Sequence, residues 1–241
     1  MVPYEFVQAG GYLRPVFTSV LFWETVFWRL DVPHIYGIDV RVDCKQCLPT
    51  MDSSTFARLL SSRDRDVAVA HFADCLDYGM GIDDMSMIVA AGAARTSPSH
   101  CDGTDFFESA KKDLHSAIAD LMQYEPNSNS MQHSYAAIEK FMKAYLCYKF
   151  NYLAATLSHR PFAHSLEALV AEVQKCDPST PLGTIDAAVI SPYRERYEGT
   201  SYSRYQLWEA CRRAHFAASC VARAMTPRDT RTLMGIPLTF F

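Results

Sequence analysis

Proton transfer, phosphate binding and metal ligation are each within reach of a different stretch of this sequence. Residues 159–164 carry His159, Arg160 and His164. Metal-independent RNA cleavage needs a base for the 2′-hydroxyl proton and a cation for the charge that builds on phosphorus. An imidazole titrates near neutral pH and a guanidinium grips phosphate through two bonds, so Arg160 and His164 are the catalytic candidates. The competing assignment makes His164 the opening residue of the next helix, packed on its loop. A second stretch interleaves arginine with tyrosine: Tyr193, Arg194, Arg196, Tyr197, Tyr202, Arg204 and Tyr205, with Arg212 and Arg213 continuing the charge. Cations with stacking faces between them suit a nucleotide or single-stranded RNA. The binding candidates are Tyr193, Arg194, Arg196, Tyr197, Arg204 and Arg212. The same arginines have Glu195, Glu198 and Glu209 within reach as ordinary ion-pair partners. The third stretch is a pair of pairs. Cys44 and Cys47 have the spacing of a zinc knuckle, and His71 and Cys75 stand one helical turn apart. Burial of Cys44 on a strand face and of His71 and Cys75 in a helical core explains them equally well, and no residue is assigned to a metal. The chain has no GxxxxGK[ST] loop, GxGxxG turn, GxSxG elbow or HExxH pair, so no cofactor is expected.

The elements that must hold these residues divide near residue 103. Beyond it, apolar residues recur at helical spacing. A first helix is expected over 105–123, with Phe107, Ala110, Leu114, Ala117 and Leu121 inward. A second follows over 131–150, built on Ala137, Phe141, Ala144 and Tyr148, with Glu139 and Lys143 paired at i,i+4. A third starts near His164 or Ser165 and stops at Asp177-Pro178. A short helical piece covers 184–190. The last runs over 205–225, with Leu207, Cys211, Ala214, Ala218, Val221 and Met225 inward, followed by an apolar C-terminal tail suited to docking. Helices of this kind close into an antiparallel four-helix bundle. Residues 1–103 read as a smaller α/β or α+β unit. Residues 16–28 fit a strand or a helix. A strand is expected over 35–44. Ser53 and Ser54 cap a short helix to Leu60, a second helix spans 66–78 with Gly79 as its stop, and 85–94 is a strand or a buried helix. Residues 92–103 are turn-rich.

Composition sets the class: 49% hydrophobic and 21% charged residues mark an ordinary globular chain. Its net charge of -4 is unevenly spread. Residues 1–130 hold 10 Lys and Arg against 18 Asp and Glu, and residues 131–241 hold 13 against 9. The basic half is the better partner for an anion. No apolar run reaches the roughly 20 residues of a membrane span, and no secretory leader is expected. Eight cysteines then point to a reducing, cytoplasmic setting with free buried thiols.

Three segments of the helical half resemble a HEPN domain, a nucleotide- and RNA-associated helical bundle. Ala137-Ile-Glu-Lys-Phe-Met-Lys-Ala-Tyr-Leu146 is similar to that family's second helix. His164-Ser-Leu-Glu-Ala-Leu169 is similar to its third-helix opening, and Arg196-Tyr197 to the segment before its last helix. The resemblance covers residues 105–225. It implies a HEPN-like bundle that binds RNA or a nucleotide within a toxin–antitoxin, defence or other multi-component system, pairing as a homodimer with room for a protein partner. It also implies, as an alternative, a metal-independent ribonuclease. The family's nuclease pattern, Arg, then four to six intervening residues, then His, at the last helix, is missing there; Arg160 and His164, with three residues between them, come one residue short and one helix early. A third possibility is a scaffold that keeps the bundle for assembly alone.

Overall fold

Helix α3 (Asn129–Phe150) is the element the others pack around. In the computed structural model, which describes residues 17–32, 58–90, 97–190, 201–227 and 229–237, it is buried over most of its circumference. A helix apolar on nearly every face is a core helix, and Ile138, Phe141, Met142, Ala144 and Leu146 are all fully inaccessible. Its two charged residues on the buried side, Glu139 and Lys143, neutralise one another at 2.6 Å. Asn151, left-handed at φ 57°, closes the helix, as asparagine does readily.

Before α3 come an antiparallel hairpin, β1 (Phe17–Trp23) and β2 (Val26–Val32), then α1 (Ser62–Ala90) and α2 (Pro98–Leu121). After it come the short α4 (Ala154–Leu157), α5 (Leu166–Cys176), 3-10 turns at Pro181–Thr184 and Ala187–Val189, the long α6 (Arg204–Met225) and a final turn α7 (Thr230–Leu233). The protein is therefore mainly helical: α2, α3 and α6 pack together, α5 lies against α3, and α1 lies against α6. Hairpin, α1 and bundle share one continuous apolar core.

Several boundaries differ from those expected. The hairpin settles the ambiguous stretch from Phe17 onward as strand and turn: Trp23 pairs with Val26 across a two-residue turn, Glu24 and Thr25, both at positive φ. That turn hand matches the twist of paired strands. Helix α1 does not stop at Gly79 but continues to Ala90, absorbing the 85–90 stretch. Gly81 is there because α6 passes close, and a Cβ on it would meet Ala222 Cβ at 2.7 Å. Helix α2 starts at Pro98, not at residue 105, so it runs across the expected boundary at 103. The Ser97 hydroxyl accepts the His100 amide, and Pro98 sits in the first turn, where its missing N–H costs nothing. Helix α5 begins after Ser165, which caps it, and ends at Asp177 as expected. The expected strand over 35–44, with Cys44 and Cys47, and the Ser53-Ser54 cap lie outside the described residues.

Candidate functional site

Helix α1 buries a polar face. His71, Asp74, Cys75, Asp77 and Tyr78 are each at most 1% exposed. Two clusters form on it. In the first, β1 contributes Ser19 and α6 contributes His215. The Ser19 Oγ lies 3.2 Å from His71 Nε2 and 3.0 Å from His215 Nε2. The Cys75 thiol donates to Ser19 Oγ at 3.2 Å. Cys75 Sγ is also 3.7 Å from His71 Nε2 and 3.9 Å from His215 Nδ1. His71 Nε2–H donates to the Val20 carbonyl at 2.9 Å, and its Nδ1 has no hydrogen-bond partner among the described residues. Burial pulls the His71 pKa down to about 4, opposed by the charge of Asp74, and pulls His215 well below the usual histidine value. The same burial pushes the Cys75 thiol far up. The protein alone thus holds two neutral imidazoles and a thiol, walled in by the Phe17, Tyr78 and Trp208 rings.

The second cluster is ionic. Asp74 receives Arg231 through both carboxylate oxygens, at 2.9 and 2.7 Å, and Arg223 at 2.6 Å. Asp77 receives Arg223 Nε at 2.7 Å and the Thr230 amide at 2.8 Å. Burial acts to lower the Arg223 pKa, but Asp74 and its other neighbours raise it above the ordinary guanidinium value. This cluster fastens the segment after α6 to α1.

An open cavity of about 1350 Å³ lies where the hairpin tip, the first turns of α1 and the first half of α6 meet. Phe22, Tyr205 and Trp208 supply aromatic walls, and Arg63, Arg65, Arg212 and Arg213 supply cations, with Asp64, Asp66 and Glu209 among them. The Arg212 guanidinium stacks over the Trp208 ring at 5.3 Å. Arg212 grips Glu209 through two bonds of 3.1 and 3.2 Å, and Arg213 reaches the same carboxylate at 2.7 Å. Burial lowers the Arg212 pKa while Glu209 opposes it.

The residues expected to act fall into three places. Arg212 lies on the cavity wall, paired with Glu209. Arg204 is exposed at the start of α6 and donates to the Thr25 carbonyl at 3.0 Å. Tyr193, Arg194, Arg196 and Tyr197 lie outside the described residues. Arg160 and His164 are exposed on the loop between α4 and α5, apart from the cavity lining. His164 has a positive φ of 57°; its side chain is 74% exposed with Nδ1 3.4 Å from Glu139 Oε2, and its carbonyl accepts the Tyr135 hydroxyl at 2.7 Å. The α3 motif and the α5 opening are therefore in direct contact. His71 and Cys75 do come together, but with Ser19 and His215. His215 follows Arg212 and Arg213 too closely for the nuclease pattern, but it stands four residues from Cys211 beside the inward stripe of α6, where a histidine is out of place, and that is its signal. Ser19 carries no such signal. Trp208, Arg63 and Arg65 were also missed, since only the fold brings them to the cavity.

Comparison of the chain with protein-family models, curated proteins and solved structures finds no match. Among the described residues, no helix is long and apolar enough to cross a membrane.

Proposed function

We propose that the protein is a nucleotide- or RNA-binding module whose ligand occupies the cavity between α1, α6 and the hairpin tip. The observation that carries this is the α6 wall: Tyr205 offers an exposed ring, and Trp208, Arg212 and Arg213 follow it on the same cavity wall about one to two helical turns on. Aromatic faces take bases and guanidiniums take phosphates, each in the geometry its partner needs. A volume of about 1350 Å³ exceeds the usual range for a single small ligand, roughly 300–1,000 Å³, and suits a short single strand. The resemblance of the α3 and α5 motifs to HEPN domains points the same way, and the contact between Glu139 and His164 ties those two motifs together.

Fluorescence anisotropy with a labelled single-stranded RNA, beside labelled ATP, tests this. Binding should weaken steeply as salt rises from 50 to 200 mM. Tyr205 is 54% exposed, so Tyr205→Ala should leave the fold intact while weakening RNA binding about 5- to 100-fold, the range of one lost base stack. A protein that retains neither ligand at low salt, or a Tyr205→Ala variant that binds as wild type does, sinks the proposal and leaves an assembly role.

One observation favours cleavage as a second activity. His164 is exposed and held beside the Glu139 carboxylate, an arrangement that orients a general base. Arg160 is exposed on the same loop. RNA cleavage that survives EDTA and disappears in His164→Ala would establish it; intact RNA with the wild-type protein would remove it.

A further inference from the structure

We propose that Cys75, His71 and His215 form a buried centre for one soft transition-metal ion, zinc foremost and copper(I) as its near equivalent, with Ser19 beside it. A ligand atom from each of the three residues lies within 4.8 Å of the others, and all three side chains are buried. Zinc bonds of about 2.3 Å to sulfur and 2.0–2.1 Å to nitrogen place tetrahedral ligands about 3.6 Å apart. The Cys75 Sγ stands 3.7 Å from His71 Nε2 and 3.9 Å from His215 Nδ1, so these two edges need close in by only tenths of an ångström, and the edge between the imidazoles is no longer than 4.8 Å. Ser19 Oγ lies 3.2 Å from both Cys75 Sγ and His71 Nε2, and 3.0 Å from His215 Nε2, the ring nitrogen other than the one that meets Cys75.

A hydrogen-bonded core of the same residues is the competing account: His71 Nε2–H donates to the Val20 carbonyl and Nδ1 is buried with no hydrogen-bond partner among the described residues. Nε2 is also the nitrogen that faces Cys75 and Ser19, so an ion held there replaces the Val20 hydrogen bond and the ring proton moves to Nδ1. The donor set is one thiolate and two imidazoles, which favours zinc or copper(I) over the hard ions magnesium and calcium. On binding, the Cys75 proton passes to solvent and the thiolate enters the coordination shell, cancelling one unit of the ion's charge. Complete burial makes this a closed structural centre joining β1, α1 and α6.

The test uses the untagged full chain. Metal analysis of purified wild type should find about one zinc or copper per chain and tell the two apart. Chelator-stripped protein refilled with the same ion should gain at least about 5 °C in Tm. Cobalt(II) in the stripped protein should give a thiolate-to-metal absorption band. That band should vanish in a folded Cys75→Ser variant and persist in a folded Cys44→Ser, Cys47→Ser double variant, with folding checked by circular dichroism. Wild type that is purified metal-free and gains no Tm from zinc, copper(I) or cobalt overturns the proposal without any variant. So does a band that survives Cys75→Ser, or one that depends on Cys44 and Cys47 instead.

Discussion

Burial decides the protonation of the His71 group, and protonation makes the protein acid-sensitive. In metal-free protein the folded state keeps His71 neutral down to about pH 4, while the unfolded chain takes up its proton near pH 6.5. Between those values the unfolded state binds more protons, so stability falls as the pH falls. His215, also lowered, adds to the slope, whereas Asp74 weakens it by favouring the charged His71. The full effect is a few kcal/mol, on the order of 1.4 per pKa unit. Urea midpoints of chelator-stripped protein should therefore drop steadily from pH 7 to pH 5; a flat profile would mean that these histidines are accessible. At this scale the sequence was half legible. The i,i+4 spacing of His71 and Cys75 is a local signal and identified them. Their partners Ser19 and His215 are 196 residues apart, and only packing makes them neighbours. The Glu139–Lys143 pair, again local, was readable in full.

Elements were legible where their signals are local and misread where a residue serves its neighbour instead. Helices α3, α5 and α6 fall within a residue or two of the apolar stripes that define them. Ser203 and Gln206 form a reciprocal cap at the start of α6. Replacing Ser203 with Ala should cost about 1 kcal/mol, read as a lower urea midpoint with an unchanged m-value. The glycines of α1 misled because a helix stop and a helix crossing use the same residue. Gly81→Ala separates the two roles. Alanine would gain about 1 kcal/mol of helix propensity if the site were free. Here its methyl meets Ala222 at 2.7 Å, and overpacking of that kind costs about 1–3 kcal/mol. We expect a net loss of about 1 kcal/mol; a gain would mean that α1 and α6 can part without penalty. In α2 the run Thr96-Ser97-Pro98 looked like a turn because a cap and a turn share their residue types, and the apolar stripe begins only later.

At the scale of the whole molecule, charge fastens the described part of the tail. Leu233 is 87% exposed and the buried anchor is Arg231 on Asp74, while the apolar end expected to dock, with Leu238, Phe240 and Phe241, lies outside the described residues. Arg231→Ala should destabilise the protein by about 3–5 kcal/mol, since it strips a buried carboxylate of its two-pronged partner. Leu233→Ala should stay within about 0.5 kcal/mol. Equal effects would show that the tail is held by something other than this pair. The position of these partners along the chain also bears on biosynthesis. Asp74 and Asp77 leave the ribosome 149 and 146 residues before Arg223, and Asp74 precedes Arg231 by 157. At about 5–20 residues per second, α1 waits roughly 10–30 s for its cations, while α2 and α3, next to one another, have all they need to pair. Newly made α1 must spend that interval with its carboxylates hydrated. A nascent chain interrupted before Arg223 should thus present a finished α2–α3 hairpin beside an undocked α1, a surface for chaperones or proteases to meet first.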